Sequence, residues 1–204
     1  MLHSIVINAD DRRTLDCWFE LGFGVDQIRG VRDTRLIDAV AEVEVRLAEP
    51  DDVDQLVDLA AELLEFHATS PMFLPALIDR AAARRSFELT LDDERNGIFV
   101  AVTGGALLGM MQLNGGGRPN IDSGRPVDGV NIGMACISAS ARGRGIGTAI
   151  LAGVMRAAQA RGYGHCTVEW TSANLTSDAF WRRRGFEPLH YTLARHLDER
   201  ITGV

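Results

Sequence analysis

Residues 142–148 read Arg-Gly-Arg-Gly-Ile-Gly-Thr, and two different periodicities flank them. Before them, Ile132 to Ile137 is an apolar run of buried-strand length. After them, Ile146, Ile150, Leu151, Val154 and Met155 recur at helical spacing, in Ala-rich sequence that continues to Gly162. The order is a strand, a tight glycine turn and a helix N-terminus. The first N–H groups of a helix have no partner within it, and its dipole adds partial positive charge there. Glycine lets a ligand reach the backbone, and Arg142 and Arg144 add two permanent charges. Such a turn suits a phosphate or pyrophosphate. An ordinary Gly-rich strand-to-helix turn fits the same letters.

The identity of the phosphate ligand narrows by exclusion. A Walker loop needs Gly-Lys-Ser/Thr, and the chain has no lysine. A dinucleotide fingerprint needs G-x-G-x-x-G, but here the third glycine comes one residue early. The pattern Arg/Gln-x-x-Gly-x-Gly/Ala does fit, as Arg142, Gly145 and Gly147. It resembles the pyrophosphate loop of the GCN5-related N-acetyltransferases (GNAT), which bind acetyl-CoA. A second motif of that superfamily follows: Asn174, then Phe180-Trp181 seven residues on, then Gly185-Phe186.

The element order carries the same resemblance. Val43 to Leu47 alternates as a strand. Glu49-Pro50-Asp51-Asp52 starts a helix whose apolar face is Val53, Leu56, Val57, Ala60 and Leu63-Leu64. Pro75 is expected to open a second helix, to about Leu91. Ile98–Val102 and Ala106–Leu113 are strands joined by Thr103-Gly104-Gly105, and 114–129 is a long Gly/Pro/Asp/Asn loop. After the glycine turn and its helix come a strand over Cys166–Trp170, a helix over Thr176–Arg184 and a strand over Glu187–Ala194. The resemblance therefore covers 43 to about 196. It implies an α/β (α+β) fold: a mixed, mostly antiparallel central sheet, splayed at the acetyl-CoA site, with flanking helices.

Composition bounds the rest. The chain has 204 residues, 46% of them hydrophobic, enough for one good core and not a disordered composition. No apolar run nears the ~20 residues of a membrane span, and the N-terminus lacks a signal-peptide core. Cys17, Cys136 and Cys166 lack ligand spacing and lie in apolar sequence, so each reads as a reduced, buried thiol of a cytoplasmic protein. A net charge of −7 argues against a nucleic-acid binder. The all-arginine set of 21 basic residues reads as genome base composition, not function. The histidines 3, 67, 165, 190 and 196 show no metal spacing and read as surface or partly buried; no metal is expected. Arg182-Arg183-Arg184 reads as a solvated helix face.

The resemblance also implies roles. Backbone groups of Ile137, Ser138 and Ala139 would pair with the pantetheine amides, like an added strand. N–H groups across Arg142, Gly143, Arg144, Gly145, Ile146, Gly147 and Thr148 would hold the pyrophosphate. Asn174 would bond the pantetheine arm; it also suits a helix N-cap, and both roles can hold together. Many family members carry a glutamate base at the position of Asn131, and asparagine cannot take that proton. The pattern of the ribosomal-protein alanine acetyltransferases puts Glu five residues before the Asn, which is Glu169 here. Glu169 is the candidate general base. The alternative is a partly exposed strand carboxylate pairing with a nearby arginine. The usual acid is the Tyr of the Phe-Tyr pair, but this chain has Trp181, whose indole N–H donates a hydrogen bond but gives up no proton near neutral pH. Trp181 either shapes the thioester site or packs. Tyr163, Tyr191 and water stand as substitutes for the acid.

The first segment has its own pattern. Ser4–Ile7 and Val25–Arg32 read as strands, Asp11–Leu21 as a helix with Gly22 as its stop, and 33–42 as a part-helical linker. The division expected is 1–42, then 43–204 as the acetyltransferase domain. Trp18, Gly22 and Phe23 have the spacing of Trp181, Gly185 and Phe186, and His3-Ser-Ile-Val6 echoes His165-Cys-Thr-Val168. Two accounts stand: an internal repeat, the remnant of a second acetyltransferase domain, or coincidence within a common β-α-β pattern. About 32 residues cannot bury Leu15, Trp18, Phe23 and Ile28 alone, so the segment must dock. It docks on its own domain or on a second copy, as a homodimer.

The expected activity is transfer of acetyl from acetyl-CoA, the co-substrate, to a primary amine of a small molecule or peptide, with no nucleic acid or membrane partner. The alternative is an acyl-CoA-binding sensor without turnover, which Asn131 and Trp181 favour and Glu169 opposes.

Overall fold

Glycine and capping side chains punctuate the chain where the elements begin and end. A computed structural model describes residues 2–39, 41–69, 71–75, 77–115 and 128–198. Eight strands and five α-helices are present among them. The strand pairs with a defined register are all antiparallel. The chain divides into two compact units, Met1–Arg32 with Thr167–Val204, and Asp33–Cys166. A loop was expected over 114–129; Asn114 ends β5, Gly129 opens β6, and 116–127 lie outside the described residues.

The larger unit holds β3 (Glu44–Leu47), α2 (Val53–His67), α3 (Arg80–Leu91), β4 (Gly97–Thr103), β5 (Ala106–Asn114), β6 (Gly129–Ile137) and α4 (Ile146–Ala160). Its strands lie in the order β6-β5-β4-β3. β4 is buried from Gly97 to Val102 because both of its faces are covered. Ile98, Val100 and Val102 pack with Leu56, Val57 and Ala60 of α2 and Phe87 of α3. α4 is apolar almost all round, with Ile150, Leu151, Val154 and Met155 fully buried.

Two expectations are corrected here. α3 begins at Arg80, not at Pro75, because the Asp79 side chain caps it by accepting the Ala82 N–H at 2.9 Å. Residues 34–39 and 41–43 carry no helix, although a part-helical linker was expected there.

The smaller unit joins β1 (Leu2–Asn8), α1 (Arg12–Glu20) and β2 (Gly24–Asp33) to β7 (His165–Thr171), α5 (Leu175–Arg183) and β8 (Glu187–His196). The order is β1-β8-β2-β7, so β8 lies between the two strands of the first segment. Leu2 opposes His196, and Gly24 opposes Ala194. The segment therefore docks in cis. Leu15 and Leu193 are fully buried, with Ile7, Trp18, Phe23 and Tyr191 around them. Exchanging β1-α1-β2 for β7-α5-β8 leaves the strand order unchanged. Trp18 meets Phe23 edge-on at 4.8 Å, and Trp181 meets Phe186 edge-on at 5.2 Å. Asp11 caps α1 by accepting the Thr14 N–H, as Asn174 caps α5 by accepting the Ser177 N–H. Each cap stands seven residues before its tryptophan, a match outside the sequence echo noted above.

Candidate functional site

In the larger unit, the glycine turn lies between a strand and a helix, as its sequence implies. β6 ends at Ile137, a single 3-10 turn covers Ala139–Ala141, and α4 starts at Ile146. Gly143 and Gly145 hold φ of +74° and +80°, a region closed to most side chains, and Gly145 is the N-cap of α4. The Gly145 carbonyl accepts the N–H groups of Thr148 and Ala149 at 3.0 and 3.1 Å. Gly143, Arg144 and Gly145 donate no backbone–backbone hydrogen bond among the described residues. Residues 142–145 are exposed, Ile146 and Thr148 are buried, and a Cβ on Gly143 would meet open space. The turn thus offers backbone donors, a helix N-terminus and an exposed Arg144 to one side. These features fit a pyrophosphate.

α2 braces this turn, which the sequence did not signal. The Glu62 carboxylate accepts the Ala139 N–H and lies 3.9 Å from the Arg142 guanidinium. Arg142 Nε donates to the Ile137 carbonyl at 3.1 Å, and its guanidinium sits 4.5 Å over the Phe66 ring. Glu62 and Phe66 stand four apart, off the apolar stripe, so they share one side of α2. No local pattern ties them to a turn some eighty residues later.

Cys136, next to that turn on β6, is buried, and its thiol donates to the Leu59 carbonyl at 3.3 Å. Burial above all pushes its pKa up to about 12, so it is a thiol and a poor nucleophile. Cys166 is buried as well. Cys17 is exposed, against expectation, because α1 turns only Leu15 fully inward and places Cys17 on its outer side.

In the smaller unit, Glu169 sits on β7 between buried Val168 and Trp170 and points the other way. Its carboxylate accepts from Arg29 of β2 at 3.1 Å, and its side chain is 44% exposed. Asn174 is buried and uses the carbonyl end of its amide for the α5 cap. Trp181 is buried between Phe180 and Phe186, with both rings edge-on to it. The Trp170 indole donates to Asp178 at 3.0 Å, and that carboxylate also accepts from Arg182 at 2.8 Å. Tyr163 belongs to the larger unit and Tyr191 to β8.

No three His, Cys, Asp or Glu gather as a metal site requires among the described residues, and no helix there is long and apolar enough to cross a membrane.

The model of the acetyltransferase (GNAT) family matches residues 57–186, more than half of the chain. A GCN5-related N-acetyltransferase from Sphaerobacter thermophilus has a similar fold, with a TM-score of 0.64 and 18% identity; the match covers 96% of this chain and 59% of that one. A ribosomal-protein-alanine N-acetyltransferase from Brucella melitensis matches at 0.57 and 21% identity, over 76% of this chain and 99% of its own. The paiA N-acetyltransferase from Thermoplasma acidophilum, in complex with coenzyme A, matches at 0.59 and 12% identity, again over 76% and 99%. No curated protein matches the sequence. By its family model and its fold, the chain belongs to the acetyltransferase (GNAT) family, and that membership implies acyl transfer from acetyl-CoA.

Proposed function

We propose that the chain transfers an acetyl group from acetyl-CoA to a primary amine. The observation that carries the reading is the exposed turn of Gly143 and Gly145 at the head of α4, whose N–H groups donate no backbone–backbone hydrogen bond among the described residues. In this reading, N–H groups from Gly143 to Gly147, within the turn of Arg142 to Thr148, hold the pyrophosphate, and Ile137 to Ala139 pair with the pantetheine. The donor end of the Asn174 amide, which the α5 cap does not use, bonds the pantetheine arm. The amine nitrogen attacks the thioester carbon, the C–S bond breaks, the amine proton passes to a base, and the thiolate gains a proton.

Glu169 is the base in this proposal. It is exposed, and Arg29 holds its carboxylate in one orientation. The high pKa of Cys136 speaks against an acyl-cysteine route and for direct attack. Trp181, buried among aromatic rings, shapes the site and leaves thiolate protonation to water.

A second reading, an acyl-CoA sensor, is favoured by Asn131 and Trp181, which stand where the family uses an acid–base pair. Calorimetry with acetyl-CoA, followed by a CoA-release assay across an amine panel, separates the two. Release with at least one amine supports the transferase. Tight binding without release for any amine supports the sensor.

A further inference from the structure

One side of α2 engages the end of β6 and the phosphate turn after it at three successive points. Leu59 accepts from the Cys136 thiol, Glu62 accepts from the Ala139 N–H, and Phe66 underlies Arg142. Arg142 is further held by the Ile137 carbonyl and by Glu62. The Ile137 carbonyl and the Ala139 N–H are groups that the proposed reading gives to acetyl-CoA, and the Arg142 guanidinium places positive charge beside the turn. Each already has a partner inside the protein, and Glu62 supplies two of these contacts.

We propose that Glu62 is an internal competitor of acetyl-CoA: its carboxylate stands at the head of the anion turn and is exchanged for the cofactor on binding. The inference rests on the reading of this turn as the acetyl-CoA site. A carboxylate accepting a backbone N–H beside an arginine makes the contacts that an anionic or carbonyl ligand would make there. It also carries the same sign of charge as the incoming pyrophosphate, so the two repel at close range. The Glu62 side chain is 32% exposed, so water can receive it when it leaves, with little desolvation to reverse. Glu62 thereby sets how tightly the site takes its cofactor, and couples the end of α2 to cofactor occupancy.

Two substitutions and two ligands test this in the full chain. Glu62→Gln keeps an oxygen that accepts from Ala139 but removes the charge. Glu62→Ala removes both. The ligands are acetyl-CoA and S-acetylpantetheine, which lacks the phosphates. Titration calorimetry should show acetyl-CoA binding Glu62→Gln about tenfold more tightly than wild type, with the gain shrinking at high salt. S-acetylpantetheine should gain from Glu62→Ala and not from Glu62→Gln. Thermal melts confirm that both variants fold. If wild type binds acetyl-CoA and both variants bind it equally or more weakly, the proposal is overturned, and Glu62 is a holder of Arg142. If wild type and both variants ignore acetyl-CoA, the cofactor reading falls and takes this inference with it.

Discussion

Gly22 and Gly185 hold the same left-handed turn, with φ of +82° and +81°, each four residues after a tryptophan and one before a phenylalanine. In both, the glycine N–H bonds a carbonyl three residues back, and the phenylalanine N–H returns to the tryptophan carbonyl at 3.1 Å. The shared geometry predicts shared cost. Alanine at φ near +80° strains the backbone by about 1–2 kcal/mol. A Cβ at Gly185 meets nothing, and one at Gly22 meets only the Arg195 guanidinium at an ordinary contact distance of 3.8 Å, so strain alone should act at both. Gly22→Ala and Gly185→Ala should lower stability by similar amounts in urea denaturation. A harmless Gly22→Ala beside a costly Gly185→Ala would show that the first turn is not held by its surroundings.

The anion turn is tested at Gly147. Gly145→Glu would confound charge with strain at φ +80° and a close approach to Ala41. Gly147 lies inside the first turn of α4 and outside the left-handed region, so Gly147→Glu introduces a carboxylate without that backbone strain. Acetyl-CoA affinity should fall roughly a hundredfold, about 2.7 kcal/mol, with circular dichroism unchanged. Unaltered affinity in calorimetry would take the turn out of the site.

Glu169→Gln keeps shape and removes the proton acceptor. Turnover should drop about a hundredfold, with acetyl-CoA affinity near wild type. Arg29→Met removes the partner at 3.1 Å and should lower turnover less. Normal turnover by Glu169→Gln across pH would leave Glu169 as a strand carboxylate in an ion pair.

Asp52 links stability to pH. Its carboxylate accepts twice from Arg46, at 2.6 and 3.0 Å, and once from the Glu49 N–H at 2.8 Å. The Arg46 hydrogen bonds above all hold its pKa below the ordinary carboxylate value of 3.8. A depressed folded-state pKa means that the stabilisation is complete above that ordinary value and is lost as pH falls through the lower, folded one. Asp52→Asn should therefore be about 2 kcal/mol less stable at pH 7. Its melting curve should approach wild type as pH drops below 3.8. A constant gap down to the most acidic folded sample would show that the cost is not electrostatic.

Thiol reactivity should follow burial. A disulfide reagent at pH 8 should modify Cys17 quickly in the native chain and all three thiols after denaturation. Rapid native modification of Cys136 would contradict its burial and its raised pKa.

The sequence was most legible where chemistry needs a particular backbone. Gly143-Arg144-Gly145 could be placed between a strand and a helix because glycine, charge and two periodicities agree there. The helix and strand after Asn174 were legible for similar reasons. The start of α3 was misread because Pro75 and Asp79 are both good openers, and only the Asp79 side chain closes on the helix. Glu62 was invisible: its importance comes from packing against residues far along the chain, not from its neighbours. The pairing of Glu169 with Arg29 was foreseen only as an alternative, since nothing local names the arginine.

The place of β8 between β1 and β2 sets a timetable. Leu2 pairs with His196, so almost the whole chain lies between partners. During synthesis, β1, α1 and β2 emerge long before the strand that joins them. Contacts so far apart in sequence form slowly and leave apolar edges open meanwhile. Until β8 arrives, the ribosome holds out a β-α-β unit with an unfilled slot between its strands, and chaperone capture of nascent chains should be greatest in that interval.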